Sequence, residues 1–368
     1  MSFYTIYNKL SNYDFDSFFR DVSSANIEQA RISNNLKSSQ YLWLLSPLAE
    51  KHLEKTAQRS HALTVQNFGK TIQLYTPLYL SNYCENQCVY CGFNEKNTVE
   101  RKQLTIEELE KEARYIAQTG LKHILVLTGD LRAACPVSYI AASIKILRKY
   151  FTSISIEIYP LSESEYKELI AEGIDGLTIY QEVYDRAIYG RMHLKGPKKD
   201  YEFRMAAPER ALSAGIRTVN IGALFGLNDW RKEAFFVGMH AKYLQDTYPE
   251  AEVSISLPRV QTMNSAFSVP WDVTDKNMVQ IITALRIYLP RVGITISTRE
   301  TASLRDNLLP LGVTKMSAGS TTAVGGHTAD GDEEINSLQF DISDKRNVHQ
   351  IRALLKGKGY QPVLKDWM

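Results

Sequence analysis

From Thr71 onward the chain repeats one unit, a short apolar run followed by an amphipathic stretch of helical spacing. The runs are TIQLYTPLYL (71–80), HILVLTG (123–129), SISIEIYP (153–160), GLTIY (176–180), RTVNIGAL (217–224), EVSISLP (252–258), GITIST (293–298) and VTKMSA (313–318). Between them lie segments such as IEELEKEARYIAQTG (106–120), SEYKELIAEG (164–173) and MVQIITALRIYL (278–289). Strands this apolar belong to a parallel sheet with both faces covered. Gly120, Gly173 and Gly215 stand where helices should end, as left-handed caps. Eight units in about 250 residues predict a closed (β/α)8 barrel of TIM type over 71–320. An open doubly wound sheet is the alternative.

Residues 1–70 read as a helical extension, with apolar positions at helical spacing in DFDSFFRDV and in the stretch from Tyr41 to Leu63. Residues 321–368 read as a C-terminal segment packing on the barrel: a Gly-rich stretch, an acidic run, one more helix and an extended end. With 44% hydrophobic and 23% charged residues the chain can bury a large core. Its 43 basic against 41 acidic residues give a net charge of +2, which offers no electrostatic case for nucleic acid or a membrane surface. No apolar run approaches the ~20 residues of a spanning helix. The first residues carry acids and no unbroken apolar core, so a signal peptide is not expected and a soluble, cytoplasmic protein is.

Three of the four cysteines, Cys84, Cys88 and Cys91, follow directly on the first strand in LSNYCENQCVYCGF. A disulfide scaffold would spread more cysteines through a chain of 368 residues. Clustered thiolates are soft ligands that select zinc or an iron–sulfur cluster. A closed zinc site wants four ligands, and no fourth cysteine or histidine lies nearby. Three thiolates on a cubane would leave one iron open to a substrate or cofactor. Structural thiols and zinc remain the competing readings, but the C-terminal end of a barrel strand is where such folds place catalysis.

C-x3-C-x2-C in this position resembles the radical S-adenosylmethionine (SAM) superfamily. The stretches LTGD, IEIYPLSESEY, YQEVYDRAIYGRMHLKGPKKDYEFR, AGIRTVNIGALFGL, STRETASLRD and QPVLKDWM are similar to the 2-iminoacetate synthase family of thiazole biosynthesis, from about residue 15 to the end. The resemblance implies that Cys84, Cys88 and Cys91 bind a 4Fe-4S cluster whose open iron is chelated by SAM. It implies further that L-tyrosine is cleaved at Cα–Cβ to 2-iminoacetate and p-cresol, while SAM gives methionine and 5′-deoxyadenosine. An external one-electron donor and thiazole synthase, as protein partner, belong to the same expectation.

Carried onto single residues, the resemblance places Tyr90 beside the adenine and Gly129 at the SAM amino group, where a missing side chain permits close backbone approach. Asp130 stands where the family has Glu. Gln181 and Glu182, ending the fourth strand, suit the ribose hydroxyls, and Arg204 suits the SAM carboxylate as a bidentate clamp. Ile221, Gly222 and Ala223 are candidates for a backbone contact to adenine. Arg299 is the candidate for the tyrosine carboxylate, with Tyr79 and Ser317 completing the substrate pocket.

Other features reduce to plainer roles. Cys135 reads as an isolated thiol, and His193, Lys195, Lys198 and Lys199 as a solvated or partner-facing basic loop. Asp330, Asp332 and Glu334 are not a calcium loop, because Ile335 occupies the position that needs glycine. The hydrogenase-maturing tyrosine lyases are expected to carry a second cluster on C-terminal cysteines, and this chain has no cysteine after Cys135. Tryptophan lyases and a non-catalytic iron–sulfur or zinc module are the remaining alternatives.

Overall fold

The computed structural model describes residues 2–261, 267–329 and 338–365. All eight expected strands form: β1 (Thr71–Ser81), β2 (His123–Thr128), β3 (Ser153–Glu157), β4 (Gly176–Glu182), β5 (Thr218–Ala223), β6 (Glu252–Ser256), β7 (Gly293–Ile296) and β8 (Lys315–Ser317). Each pairs in parallel with the next, and β1 pairs with both β8 and β2, so the sheet closes on itself. The doubly wound alternative is thereby excluded. A ninth strand, β9 (Gln361–Val363), lies parallel to the first residues of β1, so the extended end of the chain joins the sheet at the barrel's lower mouth.

Several expected strands end a few residues early. Ile158, Tyr159 and Leu257 are as buried as strand residues. They are apolar because the loops above the barrel are packed, so hydropathy alone cannot mark where pairing stops. Gly120, Gly173 and Gly215 all take positive φ at the ends of their helices, as expected.

The N-terminal helices pack on the outer face of the barrel. Tyr41 stacks on Tyr288 with ring centroids 4.3 Å apart, and its hydroxyl donates to the carbonyl of Ala234 over 2.8 Å. A Cβ at Gly238 would lie 2.5 Å from the Tyr41 ring, so that position leaves room only for glycine. In the C-terminal segment the expected helix spans Val348–Gly357. The acidic run at 330–334 and the closing Asp366, Trp367 and Met368 lie outside the described residues. Among the described residues no helix is long and apolar enough to cross a membrane.

Candidate active site

The loop after β1 carries the three cysteines without regular secondary structure, so its carbonyls need other donors. Asn94 donates to the Cys88 carbonyl over 2.9 Å, and Asn97 to that of Cys91 over 3.2 Å. The Arg101 guanidinium spans the carbonyls of Asn82, Phe93 and Asn94. Gly129, after β2, fits beneath this loop because a Cβ there would lie 2.3 Å from the Tyr83 carbonyl oxygen. The close approach that needs glycine is thus made by the cysteine loop itself.

The basic loop departs from expectation. Its backbone pairs with the cysteine loop: Gln87 N–H donates to Lys195 O over 3.0 Å, and Leu194 N–H to Gln87 O over 3.1 Å. His193 is buried, 2.8 Å from the Tyr90 hydroxyl, and burial pushes its imidazole down to about 3. Lys198 faces inward with its ammonium 2.6 Å from Glu182. Only Lys195 and Lys199 are exposed as expected. Lysine type does not distinguish these positions; the turn at Pro197 does, because it folds Lys198 back under the loop.

Above the barrel, Cys84, Cys88 and Cys91 line one end of a cavity with about 890 Å³ of empty space, counted to its open mouth. Tyr90, Gly129, Asp130, Glu182, Arg204 and Lys198 also line it. Burial raises all three thiols, Cys84 to about 11. Glu182 is the single non-glycine residue with positive φ among the described residues, at 68°. The pairing register slips between Tyr180 and Glu182, which turns both side chains inward. Such a conformation costs ~1–3 kcal/mol and survives only where its surroundings enforce it. Burial pushes the Glu182 carboxyl up, but Lys198 and Arg204 outweigh it and hold the group below the usual range. Arg204 lies 3.5 Å from Glu182 and donates to Tyr180 O over 2.8 Å. Asp130 accepts from the Asn86 amide over 2.7 Å.

The same register slip turns Gln181 out of the cavity, where its amide donates to Tyr201 O over 3.3 Å. Ile221, Gly222 and Ala223 are not in the cavity wall either; β5 is buried there, and the next residue, Leu224, is the one that reaches it. The structure therefore does not bring these four residues to the cavity, because strand alternation and the bulge present their neighbours instead.

A second cavity, with about 580 Å³ of empty space, continues down the barrel axis. Tyr79, Leu127, Glu157, Tyr180, Arg299 and Gln339 belong to the walls of both. Arg299 and Ser317 line the inner cavity, as Tyr79 does. Residues 338–340 cross the top: Gly92 N–H donates to Gln339 O over 3.0 Å, and the Tyr79 hydroxyl donates to the Gln339 side chain over 2.7 Å. The Arg299 guanidinium sits 3.3 Å above the Phe340 ring centre. Glu157, Tyr180, Gln339 and Phe340 were not singled out from sequence, and Lys198 was read there only as part of a solvated or partner-facing loop. Of these Glu157 had a legible signal, a carboxylate flanked by Ile156 and Ile158 where the third strand ends.

The sequence profile of the Radical SAM superfamily matches residues 78–236, and that of the Biotin and Thiamin Synthesis associated domain matches 257–361. Over 346 residues, 94% of this chain and 91% of the relative, the sequence is 39% identical to 2-iminoacetate synthase of Escherichia coli (strain K12). The chain belongs to the 2-iminoacetate synthase family. Among solved structures, the FeFe-hydrogenase maturase HydG from Carboxydothermus hydrogenoformans is 32% identical, with 98% of this chain and 82% of that one covered at a TM-score of 0.84. Methylornithine synthase, 19% identical with 92% of this chain and 97% of that one covered at a TM-score of 0.73, shares the fold.

As a radical SAM enzyme of the 2-iminoacetate synthase family, the protein uses a 4Fe-4S cluster and SAM. The donor set fits them. Three thiols, all on one loop, line the cavity. Soft sulfur donors of this kind, open to a cavity, suit an iron–sulfur cluster. Glu182, Arg204 and Asp130 supply charges of both signs for a ligand that carries an ammonium, a carboxylate and ribose hydroxyls.

Proposed function

We propose that this enzyme cleaves the Cα–Cβ bond of L-tyrosine to 2-iminoacetate and p-cresol, supplying the thiazole ring of thiamine in the cytoplasm. The observation that carries the reading is the continuity of two cavities on one barrel axis, the upper ending at three cysteines and the lower carrying Arg299. When bound, the cluster and SAM supply the 5′-deoxyadenosyl radical that starts the reaction, with methionine as the other product.

The chain's own residues bind, orient and shield. Cys84, Cys88 and Cys91 hold the cluster. Arg204 takes the SAM carboxylate, Glu182 the ribose hydroxyls, Asp130 the amino group, and the ring of Tyr90 a face of the adenine. Arg299 takes the tyrosine carboxylate, for which its planar fork is suited, with Tyr79 and Ser317 beside it. Residues 338–340 roof the seam between the cavities and keep water from the reacting atoms. Thiazole synthase receives the labile imine, and an external donor supplies the electron.

Anaerobic turnover of the reconstituted enzyme with SAM, dithionite and L-tyrosine tests this, with products read by mass spectrometry. The expected result is 5′-deoxyadenosine together with p-cresol and glyoxylate, the hydrolysis product of 2-iminoacetate. Deoxyadenosine without p-cresol would keep the radical chemistry and discard tyrosine as the substrate.

A further inference from the structure

Glu157 ends β3 in the wall shared by the two cavities. Among the described residues its carboxyl makes no hydrogen bond or ion pair; it senses Glu182, Arg299, Lys198 and Arg204 only through space. It is also the single acid, and Arg299 the single base, among the described residues lining the inner cavity. The two do not pair with each other. Arg299 instead stacks on Phe340. The rest of that lining is apolar groups, an amide and hydroxyls, and two of those hydroxyls, on Thr295 and Ser320, lack a hydrogen-bond partner among the described residues. A carboxylate left without a partner costs free energy that packing does not return. Two opposite charges held apart across one cavity complement a ligand that carries both.

We infer that Glu157 is the seat of the substrate's amine, so that Glu157 and Arg299 together bind the α-amino acid as a zwitterion with its side chain directed at the hydroxyl-lined floor. Burial raises the Glu157 carboxyl to about 7, and an incoming ammonium supplies the counter-charge it lacks. Because Glu157 belongs to both walls, the amine held there lies at the seam, facing the cavity of the cysteines. The inference rests on the reading of the inner cavity as the tyrosine site and adds the residue that orients the molecule in it.

The test is equilibrium binding to the anaerobically reconstituted enzyme with SAM present, so that turnover is not the readout. Three probes are compared: L-tyrosine, 3-(4-hydroxyphenyl)propanoate, which lacks the amine, and tyramine, which lacks the carboxylate. The unaltered enzyme should hold tyrosine tightest. Glu157→Gln should weaken tyrosine and tyramine about 100-fold and leave the propanoate unchanged, with Glu157→Asp restoring part of the loss. SAM affinity and iron content, unchanged in both variants, show that the site is intact. Equal loss of all three probes, or of none, overturns the inference. If the unaltered enzyme binds phenylalanine or tryptophan in place of tyrosine and Glu157→Gln weakens them alike, the zwitterion seat stands and the tyrosine reading falls. If it binds no amino acid, both fall.

Discussion

The two mouths of the barrel are both lined by polar side chains, yet they handle them differently. At the lower mouth, His123 lies 3.4 Å from the Gln73 amide, 3.1 Å from the Ser155 hydroxyl and 3.4 Å from the Lys315 ammonium. These groups partner one another, and β9 packs alongside. At the upper mouth Glu157 has no such partner among the described residues, Arg299 rests on an aromatic face, and Glu182 is held at positive φ. Polarity inside a barrel therefore does not mark a site. Unbalanced charge and enforced strain do, since a fold whose only task was stability would remove both.

The comparison breaks most visibly at the cysteines. Cys88→Ala should abolish both the cluster and SAM cleavage, leaving 5′-deoxyadenosine below about a thousandth of normal; iron and sulfide content with product analysis would show it. Cys135→Ala is the control. Cys135 is buried and belongs to neither cavity wall, so its variant should load a normal cluster. A cluster lost equally in both would remove the distinction between the upper site and the surrounding core.

Next in size is Arg299→Ala. Loss of a half-buried guanidinium aimed at a carboxylate should lower kcat/KM for tyrosine by ~100- to 1000-fold while SAM binding stays within about twofold. Arg299→Lys should recover little, because a point charge cannot reproduce the planar fork or its stacking on Phe340. Unaltered tyrosine kinetics in the alanine variant would mean that the inner cavity does not hold the substrate.

The barrel was legible because its cause is local: period and length of the apolar runs specify a covered parallel strand, and Gly120, Gly173 and Gly215 mark three of the helix ends. The cysteine triplet was legible because its three ligands, which a metal site needs close in space, here also lie within one short loop. Glu182 and Arg204 could be placed by resemblance, while Gln181 could not, since one register slip in β4 decides which of the pair faces inward. Lys198 and Gln339 were hidden for a different reason. Each reaches the site through a contact more than a hundred residues distant, Lys198 N–H to Asn86 and the Gln339 carbonyl to Gly92. No spacing rule connects such positions. Glu157 lay between the two cases, visible as a carboxylate between Ile156 and Ile158 but without a meaning until Arg299 was seen in the wall of the same cavity.

The smallest expected effect, and the one that separates the mouths by sign, is the pH dependence of stability. Burial, followed by Lys315 and Arg217, pushes His123 well below its ordinary value. The unfolded chain therefore binds a proton there that the folded chain refuses, and stability present above about pH 6.5 is lost as the pH falls. Glu157 behaves oppositely. Burial and then Glu182 raise it to about 7, against the pull of Arg299, Lys198 and Arg204. Its favourable balance is complete below about pH 4.5 and is lost as the pH rises through 7. Glu157→Gln should consequently melt higher than the unaltered enzyme at pH 8.5, by about 1–3 kcal/mol of stability, with the difference shrinking at pH 5.5. His123→Gln should melt lower at pH 8.5, by about 1 kcal/mol for the disturbed hydrogen bonds, and approach the unaltered enzyme at pH 5.5. Its turnover should stay within about twofold. Anaerobic thermal melts of the reconstituted proteins at the two pH values decide it. A Glu157→Gln variant that loses stability at pH 8.5 would mean that its carboxyl is a structural partner after all, and a tenfold fall in His123→Gln turnover would join the lower mouth to the chemistry.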